Sequence, residues 1–172
     1  PVHSPSPYAV SKMLVENLAS HYRERGLDTV VARPFNHVGP GQRPGTIVPD
    51  LFARLGEHDD GEEFPGGNLD SVRDYLDVRD VARAYQLLLT TPDLAGATFN
   101  IASGTSRTGH EVLAAVCRAM GKAVPPVVVS KTRAVDPSYV KAGADRLRQA
   151  TGWEPVVPFE ESVTDFVRSM SS

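Results

Sequence analysis

Residues 7–42 read PYAVSKMLVENLASHYRERGLDTVVARPFNHVGPGQ, and their order of helix, strand and glycine–proline loop decides the fold class. From position 8 to about position 25, Val10, Met13, Leu14, Leu18 and Tyr22 recur at three- and four-residue steps. That is the period of an amphipathic helix, and Gly26 is its natural stop. Thr29, Val30, Val31 and Ala32 then read as a short buried strand closed by Pro34. Positions 36–45 carry Gly39, Pro40, Gly41, Pro44 and Gly45 and read as a loop.

The same alternation continues downstream. Positions 47–55 predict a helix with Pro49 in its first turn, where a missing N–H costs nothing. Positions 58–68 are polar and turn-rich and predict an exposed loop. Positions 72–78 predict a strand, after which Asp80 is the expected cap of a helix to about Leu89, with Val81, Ala84, Tyr85 and Leu88 on one face. A strand is expected at 98–101. Thr108 and Glu111 have the spacing of a capping box, opening a helix that buries Val112, Leu113, Val116 and Cys117 and ends at Gly121. A strand at 127–129 and helices at 144–150 and 159–170 complete the pattern. Strands and helices alternating without repeats predict an α/β or α+β fold.

Composition narrows the function classes. The 172 residues carry 18 Lys and Arg against 21 Asp and Glu, a net charge of −3. No broad basic field is available for nucleic acid, so anion recognition must rest on a few placed arginines. The single cysteine, Cys117, excludes an internal disulfide and fits a reducing cytoplasm. No apolar run approaches the roughly 20 residues that span a bilayer. His21, His37, His58 and His110 share no ligand spacing, so no metal is expected. Positions 1–7 hold three prolines and lead straight into the first helix, which reads as the interior of a longer polypeptide. No glycine-rich turn joins a strand to a helix as a dinucleotide-binding half requires, so that half is expected to be absent.

Tyr8 and Lys12 form Tyr-x-x-x-Lys. Four residues apart on a helix, the two side chains share a face with Cβ atoms about 6 Å apart. A neighbouring ammonium favours the phenolate and is expected to draw the tyrosine pKa down from its reference of about 10. Tyrosine and lysine at this spacing also occur on ordinary helix surfaces, so the pair alone decides little. Its company decides more: the segments 7–12, 33–42, 67–78 and 150–155 occur in a definite order. Together they resemble the extended short-chain dehydrogenase/reductase family, in particular its nucleotide-sugar epimerases, dehydratases and reductases.

The resemblance implies an α/β fold, the carboxyl-terminal part of a doubly wound Rossmann-type sheet with a small α/β substrate-binding lobe. Positions 1–40 would end the Rossmann-like domain, and 41–172 would form mainly the lobe, with about 76–102 returning to the sheet. It implies NAD or NADP as cofactor, with Tyr8 as acid/base and Lys12 tuning it and binding the nicotinamide ribose. Phe35 and His37 would lie along the nicotinamide, largely through backbone contacts, and Asn36 would hydrogen-bond the substrate. Arg73 and Arg133 would grip the diphosphate, since a guanidinium matches phosphate oxygens with a planar fork of donors. Asp136 would orient Arg133 or a ribose hydroxyl, Asn68 and Leu69 would lie against the nucleotide, and Arg43 would reach a phosphate. The partner implied is a nucleotide-diphosphate sugar, and the full-length form is expected to be a homodimer through the first helix. The loop at 39–43 is most similar to reductases acting on the C4 keto group of a GDP-4-keto-6-deoxy-hexose. A 4,6-dehydratase, a 4-epimerase and a non-catalytic binding fragment are the alternatives.

Overall fold

The computed structural model describes residues 6–59, 61–128, 139, 140 and 142–170. The elements run, in chain order, α1 (Pro7–Arg23), β1 (Val31–Pro34), β2 (Asn36–Val38), α2 (Ile47–Gly56), β3 (Phe64–Pro65), β4 (Val72–Asp77), α3 (Val78–Thr90), β5 (Thr98–Ile101), β6 (Ser106–Thr108), α4 (Gly109–Met120), β7 (Val127–Val128), α5 (Asp145–Thr151) and α6 (Phe159–Met170). β1 pairs in parallel with β5. β2 pairs in parallel with β4, whose other edge takes β6 antiparallel. β3 pairs in parallel with β7. This is an α/β fold of the Rossmann type, whose strands pair mainly in parallel, with β6 the antiparallel exception.

Local chemistry explains most of the boundaries. Ser6 caps α1 by accepting from the Ala9 N–H at 3.2 Å, with Pro7 in the first turn. The capping box of α4 forms as expected: Glu111 N donates to Thr108 Oγ1 at 3.1 Å, and Thr108 N donates to Glu111 Oε2 at 2.7 Å. Gly121 ends that helix in the left-handed conformation at φ 69°.

Other expectations are corrected. The first strand starts at Val31 rather than Thr29 and includes Pro34. Val31 N donates to Ala97 O and Phe35 N to Ile101 O, so odd-numbered residues of β1 face β5. Pro34 faces away, and its missing N–H costs the β1–β5 ladder nothing. The cap of α3 is Asp77, which accepts from Arg79 N at 2.7 Å, not Asp80. Asp80 lies inside the first turn and is buried. The stretch at 36–45 contains strand β2, and the stretch at 58–68 contains β3, whose Phe64 is in the core. Tyr85 is exposed, unlike Val81, Ala84 and Leu88 of the same helix.

Two hydrophobic clusters divide the interior. One joins α2, α4 and α6 over β4, with Leu55, Phe64, Leu113, Val116 and Phe166 among its buried members. The other packs α3 and α5 on β5, with Leu88, Phe99, Leu147 and Trp153. Trp153 Nε1 donates to Asp80 O at 3.0 Å, and the Asp80 carboxylate accepts from the Val156 and Val157 amides, both at 3.0 Å. Both amides reach Oδ2, while Oδ1 lies 3.2 Å from Arg83 Nη2, and the buried carboxylate so held fastens the segment before α6 to the start of α3. No helix among the described residues is long and apolar enough to cross a membrane.

Candidate active site

Three contacts fix the direction of α1. Arg33 clasps Glu16 with two bonds (Nε to Oε1 at 2.7 Å, Nη2 to Oε2 at 2.5 Å), Thr29 Oγ1 donates to Ala19 O at 3.1 Å, and Arg23 Nη1 donates to Gly96 O at 3.3 Å. As α1 advances from residue 16 to 23, its partners recede from Arg33 in β1 to Thr29 before that strand and then to Gly96 before β5. The helix therefore runs antiparallel to β1. Its amino-terminal turn, with Tyr8 and Lys12, lies at the carboxyl-terminal end of β1, where Phe35, Asn36 and His37 follow. The Arg33 hydrogen bond holds the Glu16 carboxyl below the usual carboxylate range.

Tyr8 is 71% exposed, and the Lys12 ammonium sits 5.3 Å from its ring centroid. Lys12 has no acidic partner among the described residues. Both side chains are thus presented rather than consumed by packing. Phe35 is the single residue between β1 and β2, and its N–H is engaged by Ile101 O. The His37 ring is exposed, with Nδ1 3.1 Å from the Phe35 carbonyl.

β2 carries the site across to the second sheet. Asn36 pairs with Tyr75 in the β2–β4 register, two residues from Arg73. Arg73 is half-buried, and its Nη1 donates to Val72 O at 2.8 Å. Asn68 is exposed, in the segment that leads into β4. The Leu69 side chain is in the core, and its carbonyl accepts from His110 N at 3.2 Å. A Cβ on Gly109 would come within 2.6 Å of the Leu69 Cα, so Gly109 is what lets α4 approach this segment. Arg43 stands exposed on the loop between β2 and α2. Arg133 and Asp136 lie outside the described residues.

Two supporting residues escaped the reading of the sequence. Gln42 Nε2 donates to His37 O at 3.1 Å and to Thr46 Oγ1 at 2.9 Å, tying the loop that bears Arg43 back to β2. Asp74 is fully buried and accepts from Ser103 N at 2.9 Å and Gly104 N at 2.7 Å. Burial pushes its carboxyl up against the pull of those two amides. An acid inside a buried strand was the available signal, because strands rarely keep an aspartate without fixed donors.

The profile of the "NAD dependent epimerase/dehydratase family" matches residues 1–102. The chain belongs to this family. GDP-6-deoxy-D-mannose reductase of Pseudomonas aeruginosa is 33% identical over 168 residues, which cover 94% of this chain and 54% of that protein. The structure described as RMD from Pseudomonas aeruginosa complexed with NADPH superposes with a TM-score of 0.86 at 31% identity, covering 98% of this chain and 57% of that one. The UDP-glucose 4-epimerase of Thermus thermophilus, in complex with NAD, gives 0.83 at 34% identity, covering all of this chain and 56% of that one. The chain thus spans about half the length of these relatives.

Proposed function

We propose that this chain is the substrate-facing half of an NAD(P)-dependent nucleotide-sugar oxidoreductase that reduces the C4 keto group of a GDP-4-keto-6-deoxy-hexose. The observation that carries the reading is the direction of α1. It sets an exposed phenol, and an ammonium without an acidic partner among the described residues, at the strand end where Asn36 pairs with Tyr75, two residues from Arg73. The likeness to a GDP-6-deoxy-D-mannose reductase favours reduction of a keto sugar; the likeness to a UDP-glucose 4-epimerase keeps epimerisation as the alternative.

The donor set fits the nicotinamide end of NAD or NADP. Lys12 is free to reach a ribose hydroxyl, and the backbone about Phe35 and His37 offers the neighbouring wall. The glycine-rich turn that would hold the dinucleotide phosphates is not in this sequence. When bound, the reduced cofactor supplies a hydride. This chain's own part is to deliver a proton from Tyr8 Oη to the sugar oxygen, with Lys12 stabilising the charge left on the phenol. Asn36 orients the sugar, Arg73 and Arg133 hold the diphosphate, Asp136 orients Arg133, Asn68 and the Leu69 backbone border the nucleotide, and Arg43 reaches a phosphate. In this reading residues 1–40 and about 76–102 serve the cofactor-side sheet and the remainder the substrate lobe. The outer face of α1 meets the same helix of a second copy in a cytoplasmic homodimer.

The test is Tyr8→Phe in the full-length enzyme, assayed with GDP-4-keto-6-deoxy-mannose and NADPH. Turnover should fall by about 10²–10⁴-fold with substrate affinity nearly unchanged; a variant that keeps its turnover refutes the role. Calorimetry with GDP, UDP and dTDP checks the nucleotide, and tighter binding of UDP than GDP would favour the epimerase.

A further inference from the structure

α1 contains a single acid, Glu16, placed four residues after Lys12 and eight after Tyr8. At that spacing the three side chains share one face of the helix, and an acid one turn away is the ordinary partner of a lysine. Lys12 does not take it. Its ammonium sits 5.3 Å from the Tyr8 ring centroid, and no acid among the described residues pairs with it. Both oxygens of Glu16 are bonded instead to Arg33 of β1, Oε1 by Nε at 2.7 Å and Oε2 by Nη2 at 2.5 Å.

The donor chemistry decides this competition. Arg33 offers a planar fork that meets a carboxylate with two bonds, whereas a lysine is a point charge. Lysine ahead of the acid is also the weaker order on a helix. The hydrogen bond from Arg33 lowers the Glu16 carboxyl and in return raises the Arg33 guanidinium, so both partners are charged at neutral pH. Stability does not account for the pair. Its side chains are 52% and 32% exposed, and ion pairs so exposed contribute little to folding. What the clasp changes is the field at Lys12. Answered by a guanidinium, the carboxylate one turn from Lys12 does not draw the ammonium away from the phenol.

We propose that Arg33 is a positioning residue of the site: it takes Glu16 away from Lys12 and so leaves the ammonium for the Tyr8 phenol and the cofactor ribose. The proposal rests on the roles given above to Tyr8 and Lys12, and the sequestering of Glu16 that it adds is measurable without substrate.

The experiment is acylation of the full-length enzyme by limiting acetic anhydride, with the modified fraction of Lys12 read by peptide mass spectrometry. Lys122, whose ammonium donates to Leu55 O at 2.6 Å and His58 O at 3.1 Å, is the internal reference. Acylation needs the neutral amine, which a paired carboxylate disfavours. A lysine–glutamate pair one helical turn apart is worth a factor of about two, so Arg33→Ala, which releases Glu16, should slow Lys12 about twofold against Lys122. Arg33→Ala combined with Glu16→Gln lacks the clasp equally but has no acid to release, and should restore the wild-type rate. Arg33→Gln keeps hydrogen-bond donors beside Glu16 without the charge; it should slow Lys12 in the same sense, and it serves if Arg33→Ala does not fold. Equal rates in a single variant and its double overturn the proposal, because the clasp would then act only as a tether. So does a slowing shared by Lys122, which reports a general change in the protein. Turnover in the Tyr8 assay should follow the same order. Ordered acylation in an enzyme without that turnover refutes the assigned reaction and leaves the sequestering intact.

Discussion

Helices α1 and α4 both carry apolar residues at helical spacing, yet their fates are opposite. α4 buries Val112, Leu113, Ala115, Val116 and Cys117 against α2 and α6, whereas α1, five residues longer, buries none of its side chains. α1 turns Ala9, Glu16, Ala19 and Ser20 toward the rest of the chain and leaves Val10, Leu14, Val15, Leu18 and Tyr22 exposed. An apolar stripe therefore shows that a helix will be covered, but not by what. The part of the molecule around α4 completes its packing within this chain, while α1 leaves apolar side chains exposed.

Truncations on the two sides should break this symmetry most visibly. Phe166→Ala removes a fully buried ring from the cluster of α2, α4 and α6, where it packs edge-on against Phe52, and should cost about 3–5 kcal/mol in chemical denaturation. A loss below 1 kcal/mol would mean that this side is not well packed. Acid should act next, and also on the completed side. Burial alone would raise the Asp77 carboxyl, but hydrogen bonds from Arg79 and Ser162 hold it below the usual range. An acid whose folded pKa is depressed binds its proton more readily when unfolded, so its contribution is present above the unfolded value and fades as the pH falls through the folded one. The denaturation midpoint should drop through that window, and Asp77→Asn should flatten the slope. Leu18→Ala on α1 should change the stability of this chain by less than about 0.5 kcal/mol, because that side chain is already exposed. A larger cost would show that α1 is covered in solution.

Local rules carried the regular elements. The capping box at Thr108, the stop at Gly121 and the last helix at Phe159–Met170 were legible because each depends on residues within a turn of one another. What could not be read depends on distant partners. β2 is three residues long and exists because β4 lies beside it, and Phe64 is buried because β7 and α4 close over it. Asp80 was misread as a cap because its real partners are the amides of Val156 and Val157, 76 and 77 residues away. In the candidate site, Tyr8, Lys12, Asn36 and Arg73 were visible as ordered motifs. The direction of α1 and the bracing by Gln42 and Asp74 were not, because they follow from contacts across the fold.

The seam between the two larger sheets has a mechanical consequence. One of its two short crossings is a single amino acid, Phe35, and the other, residues 102–105, is pinned by the Asp74 carboxylate. With both crossings so taut, the sheets cannot swing apart like the covers of a book. Entry and exit of a bulky ligand must then be borne by segments away from this spine, while the alignment of residues 35–37 stays constant through a working cycle.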